Sequence, residues 1–208
     1  MSNLSNLKAF QQLVPNFGLN IVLNTVQNHI DDAVSDYLTP SIGKDLVKAL
    51  ETAMNDYRAI AIYDPLVSYS VGSKIRFENY VYRAETGFGT PPGNNWTRLK
   101  IFDLLADYVV PYVTYKAAAR FFVFHGANVD QFGLHSNSGA EFTQVSDKTR
   151  AAMSGDMERK AAKALLEVRD FLTLESWTID GVKYVDPTKT KPTAKPDFGI
   201  TPIKPRWP

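Results

Sequence analysis

Apolar residues recur every three to four positions along most of this chain, and every second position only in one short middle stretch. That change of period, more than any single motif, limits the fold. Leu19, Val22, Leu23, Val26, Ile30, Ala33, Val34 and Tyr37 fall on one face of a helix over roughly 20–38. Pro40 and Gly43 punctuate its end. Leu46, Val47, Leu50, Ala53, Met54 and Tyr57 form the stripe of a second helix that starts near Lys44. A third helical pattern runs over 99–125, and a fourth over 146–174. Pro111 lies inside the third; a proline removes a backbone donor and crowds the preceding turn, so a kink or restart is expected there. The fourth would span ~40 Å at about 1.5 Å per residue. Its inner face is Ala152, Met157, Ala161, Ala164, Leu165, Val168, Phe171 and Leu172. Asp156 with Lys160, and Lys163 with Glu167, are ion pairs one turn apart.

Between these helices the chain turns aromatic and rich in turn formers. Residues 74–77 and 80–84 read as two strands, joined through Glu78 and Asn79, with Asn suited to positive φ. Residues 86–95 read as a loop ending at Trp96. Trp177, Ile179, Val182 and Tyr184 flank Asp180-Gly181, a strong hairpin signal. Residues 128–141 are polar and contain glycine, as a loop does. Residues 187–208 are rich in proline and lysine and cannot form a core of their own. The expected fold is mainly α (α+β): a bundle of about four helices over 1–63 and 99–175, a small β insertion over 64–98, then a hairpin and extended arm over 176–208.

Composition excludes several functions. Formal net charge is +1, from 23 basic and 22 acidic residues, so no basic field drives nonspecific binding to nucleic acid. With no cysteine, disulfides, thiolate metal sites and cysteine nucleophiles are ruled out. The start of the chain is polar and lacks a signal-like apolar run. The most apolar stretch, 101–124, carries Asp103, Asp107, Lys116 and Arg120, which argues against a membrane span. His29, His125 and His135 lack the spacing of a helical metal site, and no phosphate-cradling or nucleophile-elbow motif occurs. Gly87 and Gly89 precede two prolines and read as a tight loop. Asp31 and Asp32 read as a solvated helix face, and Asp103 and Asp107 as partners of a helix dipole. No catalytic residue, cofactor or metal is expected, and the chain does not read as an enzyme.

Three stretches in order resemble the head–tail connector (neck adaptor) proteins of tailed bacteriophages. They are residues 10–44, with Leu38-Thr-Pro-Ser-Ile-Gly43 between two helices; Phe132-Gly-Leu-His135 leading into Ser146-Asp-Lys-Thr-Arg150; and the helix end Leu165-Leu-Glu-Val-Arg-Asp-Phe-Leu172. The resemblance covers about 120 residues in pieces. It implies a ring of identical copies, commonly a dodecamer, in the virion between portal and tail, made in the host cytoplasm. Its partners would be itself, the portal protein, tail or other neck proteins, and packaged DNA passing without sequence-specific binding, with no membrane. Residues 117–124 are apolar nearly all round, so Arg120, Phe122 and Phe124 are expected at subunit contacts, together with Phe198 and Trp207 of the arm.

Tyr69, Gly72, Ile75, Phe77, Tyr82, Ala84, Pro91, Pro92 and Trp96 resemble the small chitin-binding modules attached to bacterial chitinases. This resemblance implies an alternative role in carbohydrate binding or host adhesion, with Tyr69, Tyr82, Phe88 and Trp96 as surface contacts. Glu85-Thr86 stand where such modules place an exposed aromatic. The competing reading of the same rings is the insertion's own small core, since a unit this size needs most of its aromatics inside.

Overall fold

The computed structural model describes residues 1–14, 23–86, 89–124, 135–138, 141–144, 147–175 and 178–184. The fold is mainly helical with small sheets, an α+β arrangement. Helices α1 (Leu7–Leu13), α2 (Leu23–Asp32), α3 (Thr39–Ile42) and α4 (Lys44–Ala59) lead into a sheet module of β1 (Ala61–Ile62), β2 (Lys74–Phe77), β3 (Tyr80–Ala84) and β4 (Trp96–Arg98). Helices α5 (Lys100–Asp103) and α6 (Val110–Phe124) follow. A hairpin of β5 (His135–Ser138) and β6 (Glu141–Gln144) precedes α7 (Asp147–Leu174), and β7 (Thr178–Ile179) and β8 (Val182–Lys183) close the described chain.

Helix α6 is the axis of the bundle. It packs along α7 and against α2 and α1. Val113, Ala117, Ala118, Ala119, Phe121 and Phe122 are all buried. The neighbour that its all-round apolarity calls for is therefore this chain itself. Phe122, expected at a subunit contact, is a core residue, 2% exposed. The small residues let α7 approach closely, and its Met157, Ala161, Ala164, Val168 and Leu172 supply the facing stripe. Ala152, assigned to that stripe from its spacing, is exposed, and Ser154 is buried in its place, donating to the Ala119 carbonyl at 3.0 Å. Thr114, fully buried, shares a 2.7 Å hydrogen bond with Ser5, so these two core hydroxyls satisfy each other.

Both prolines of the helical segments sit just after a π-helical turn. One spans Ala33–Leu38 and precedes Thr39-Pro40; the other spans Leu104–Val109 and precedes Val110-Pro111. Thr39 N–H reaches back five residues to the Val34 carbonyl, and Val110 N–H to that of Leu105. The widened turn lets the helical path continue through a residue that has no N–H to give. Pro40 thus lies within the path, and the path stops at Gly43, whose φ of 89° lies in the region that glycine reaches without strain. The interruption expected at Pro111 is the π-turn just ahead of it.

The module sheet has the order β1-β2-β3-β4, parallel between β1 and β2 and antiparallel elsewhere. It adds β1 and β4 to the two strands that alternation identifies. The positive φ of the β2–β3 turn falls on Glu78, at 55°, and not on Asn79. The Asp180-Gly181 turn has φ of 48° and 87°, positive at both positions as a tight hairpin of this type requires. Residues 135–138, within the stretch read as loop, form strand β5, which pairs with β6 at the end of that stretch.

Candidate functional site

The sheet module carries the densest cluster of aromatic rings, and those rings face inward. Val81 on β3 points into the bundle core, while its neighbour Tyr82 joins Ile75, Ala84 and Trp96 in a separate small core. Tyr63, Tyr69, Phe77 and Tyr80 close around that core. Tyr63 and Tyr69 stack with centroids 5.7 Å apart, and each meets Trp96 nearly edge-on at 6.2 and 5.7 Å. Trp96 donates its indole N–H to the Gly89 carbonyl at 3.0 Å, and the Tyr69 hydroxyl accepts the Asp64 N–H at 2.7 Å.

This arrangement corrects the assignment of surface contacts. Tyr82 is 6% and Trp96 7% exposed, so neither presents a face on which a sugar ring stacks. Burial pushes the Tyr82 phenol above its ordinary range, against the charge of Arg98. Tyr69 is half-buried with its hydroxyl engaged. Phe88 lies outside the described residues. The apolar surface that the module does expose is aliphatic: Ile62, Leu66, Val67 and Val71.

The module is fastened to the bundle by polar contacts at its base. Lys74 pairs with Asp56 at 2.9 Å, and Arg76 donates Nε–H to the Ile60 carbonyl at 3.0 Å. Arg98 lies 3.5 Å from the centroid of the Tyr80 ring and donates to Asp103 at 2.7 Å. Asp103 lies in the first turn of α5, where the helix dipole favours a carboxylate, and is in addition a buried ion-pair partner. Burial raises its pKa despite the opposing pull of Arg98. Burial also opposes the charge of Arg98, but the bond and charge of Asp103 outweigh it and hold the guanidinium above its usual range. The Asp180 carboxylate accepts the Ile101 N–H at 2.8 Å, and Lys100 pairs with Glu175, so the closing hairpin holds the first turn of α5.

A second cluster lies on the bundle, where the Ala33–Leu38 turn meets α6 and α7. Arg120 donates to Asp32 at 2.6 Å and to the Tyr37 hydroxyl at 3.1 Å. Lys116 sits 4.0 Å over the Tyr37 ring and pairs with Glu158 at 2.8 Å. Arg120, expected at a subunit contact, is thus committed within the chain. Asp31 and Asp32, read as solvated, are structural ties. Asp31 accepts from the Ser2 N–H at 2.6 Å and from the Gln27 side-chain amide at 3.0 Å. Phe124 is exposed, as is Val123, at the end of α6, and His29 stacks on Phe124 with centroids 6.1 Å apart. Phe198, Trp207 and His125 lie outside the described residues. The two ion pairs expected on α7 are present, Asp156–Lys160 at 3.0 Å and Lys163–Glu167 at 3.7 Å.

Among the described residues no three His, Cys, Asp or Glu side chains gather as a metal site would require. No described helix is long and apolar enough to cross a membrane. The charged clusters described above consist of paired ions with structural partners. Chemically, these surfaces offer aliphatic contact on the module and an aromatic, mixed-charge groove on the bundle.

Residues 65–183 match the model of DUF6712, a family of unknown function, so the chain belongs to that family. The matched region takes in the sheet module from its first loop, the central helix, the long helix and the closing hairpin. No curated protein and no solved structure matches the chain.

Proposed function

We propose that this DUF6712 member is a non-enzymatic structural subunit of a tailed-phage neck, forming a ring between portal and tail. In that role identical copies extend the DNA channel and present a docking surface to the tail. Packaged DNA passes without sequence-specific contact. The observation that carries the reading is the bundle itself. A central helix is consumed by packing against a helix of 28 residues, and the polar clusters around it serve as ties. The reading draws on the resemblance to neck adaptors carried by the order of the helices and by Leu38–Gly43, which leads through α3 into α4. A near-neutral chain suits a channel wall that must not grip its cargo. The exposed end of α6, at Val123 and Phe124, supplies apolar surface for a neighbouring subunit.

The test is quantitative mass spectrometry of purified tailed virions from a phage encoding the chain. A copy number equal to that of the portal protein is expected. Absence from virions, or a copy number matching capsid or fibre proteins, overturns the reading.

A further inference from the structure

The groove between the Ala33–Leu38 turn and α7 has the chemistry of a site for a proline- and lysine-rich strand. Its volume is about 330 Å³, enough for two or three side chains. It is lined by the ring of Tyr37, 36% exposed with Lys116 over one face, by half-buried Leu165 and by buried Tyr112. Prolines in extended polyproline conformation pack on such rings at little entropic cost. Asp36 stands exposed at the rim, and Glu158 and Lys116 complete the charged lining. Lys116 is already held by Glu158, whereas Asp36 accepts the Ser35 hydroxyl at 2.8 Å through one oxygen and keeps the other for an incoming cation.

The chain carries a segment that fits. Residues 185–208 hold six prolines, with Lys189, Lys191, Lys195, Lys204 and Arg206 against Asp186 and Asp197. The segment is therefore +3, and residues 1–184, with 18 basic and 20 acidic side chains, are −2. At about 3.1 Å per residue in polyproline form it reaches roughly 75 Å. A compact body of this size has a radius of gyration of about 16 Å. The segment thus outreaches the body from which it leaves, beyond the buried Tyr184 and on the side where β8 meets α4.

We propose that this groove receives residues 185–208 of a second copy of the chain, so that copies are linked by exchanged arms. The choice of a second copy rests on the ring reading above; the chemistry of the groove does not. Prolines of the arm lie against Tyr37 and Leu165, and a lysine of the arm meets Asp36.

The experiment uses the full chain, in light and heavy isotopic forms, mixed at sub-millimolar concentration. A benzophenone amino acid replaces Ala162, an exposed position lining the groove. Light–heavy cross-links from position 162 to residues 185–208 are expected. Asp36→Lys is expected to weaken self-association about tenfold, as loss of a groove ion pair reinforced by repulsion would. Lys191→Glu with Lys195→Glu is expected to restore it, which a merely structural role of Asp36 would not allow. A chain that stays monomeric, cross-links confined to one copy or to other segments, or failure of the charge exchange overturns the proposal. Virion copy number is read separately. Exchanged arms in a protein absent from virions sink the neck reading alone, and a portal-matched copy number with no exchanged arm sinks this one alone.

Discussion

The bundle and the sheet module solve the same problem with different mixtures of side chains. The bundle buries mostly aliphatic and small side chains along helix stripes, with rings such as Phe10, Phe121 and Phe122 among them, and leaves Tyr37 and Phe124 at its margins. The module buries its rings and leaves Ile62, Leu66, Val67 and Val71 in solvent. Scale explains the difference. A helix of 28 residues shares its core with several partners, whereas a four-stranded sheet of short strands must fill its own centre with few residues. Large rings bury the most area per residue, so they go inside.

The largest test of this contrast is Phe122→Ala. A ring lost from the bundle core costs roughly 3–5 kcal/mol. Urea unfolding should show the whole cooperative transition moving to lower denaturant. If Phe122 instead served a subunit contact, the isolated chain would keep its midpoint and lose only association.

Trp96→Ala should come next, at roughly 3 kcal/mol, because the ring anchors both Tyr63 and Tyr69 and its indole bond to Gly89 is lost with it. Hydrogen exchange is the measurement that sharpens the comparison. Amides of β2, β3 and β4 should lose protection while those of α6 and α7 keep theirs. Equal loss in both regions would mean that the two cores, despite their separate side chains, open as one unit.

The two regions also differed in how far their sequences could be read. Helices α4 and α7 follow directly from apolar spacing, since every third or fourth residue touches the core. The run from 20 to 38 is legible as helix but not as a π-turn that carries the path on through Pro40, because widening of a turn leaves no mark in hydrophobic period. Asn79 looked like the residue for positive φ, yet Glu78 takes it; strand pairing on both sides sets the turn, and local preference yields. The strands β5 and β6 were invisible because His135–Ser138 shows no alternation. The rings of the module were recognised as a group, but a list of aromatics does not say which face they take. Only the register that places Tyr82 and Trp96 on one side of the sheet decides it. Likewise Asp32 and Arg120, 88 positions apart, give no local sign of meeting.

Between module and bundle lies the Arg98–Asp103 pair, and it should respond to pH with a particular sign. Burial raises the Asp103 pKa above its unfolded value, so the folded chain holds that proton more tightly than the unfolded one. This contribution favours folding at acid pH and is lost as pH rises from the ordinary carboxylate range through the raised value. Asp103→Asn removes the titration and keeps one acceptor for Arg98. It should flatten this part of the stability profile and change neutral-pH stability by no more than about 1 kcal/mol, since Arg98 stays partly hydrated. A profile steeper than that of the natural chain would contradict the sign.

The smallest expected effect tests the exposed side of the module. Leu66 is 93% and Val71 68% exposed, so neither gives up much water-facing area on folding. Replacing both by serine should leave the urea midpoint within about 0.5 kcal/mol of the natural chain, as substitutions at solvated positions do. A larger loss would mean that these side chains pack against the body and that the module is held to the bundle by more than Val81 and its polar base. If stability is unchanged but the soluble chain associates less, the aliphatic rim is contact surface. The module would then have kept its rings for its own core and turned outward the smaller residues that a folded partner can cover.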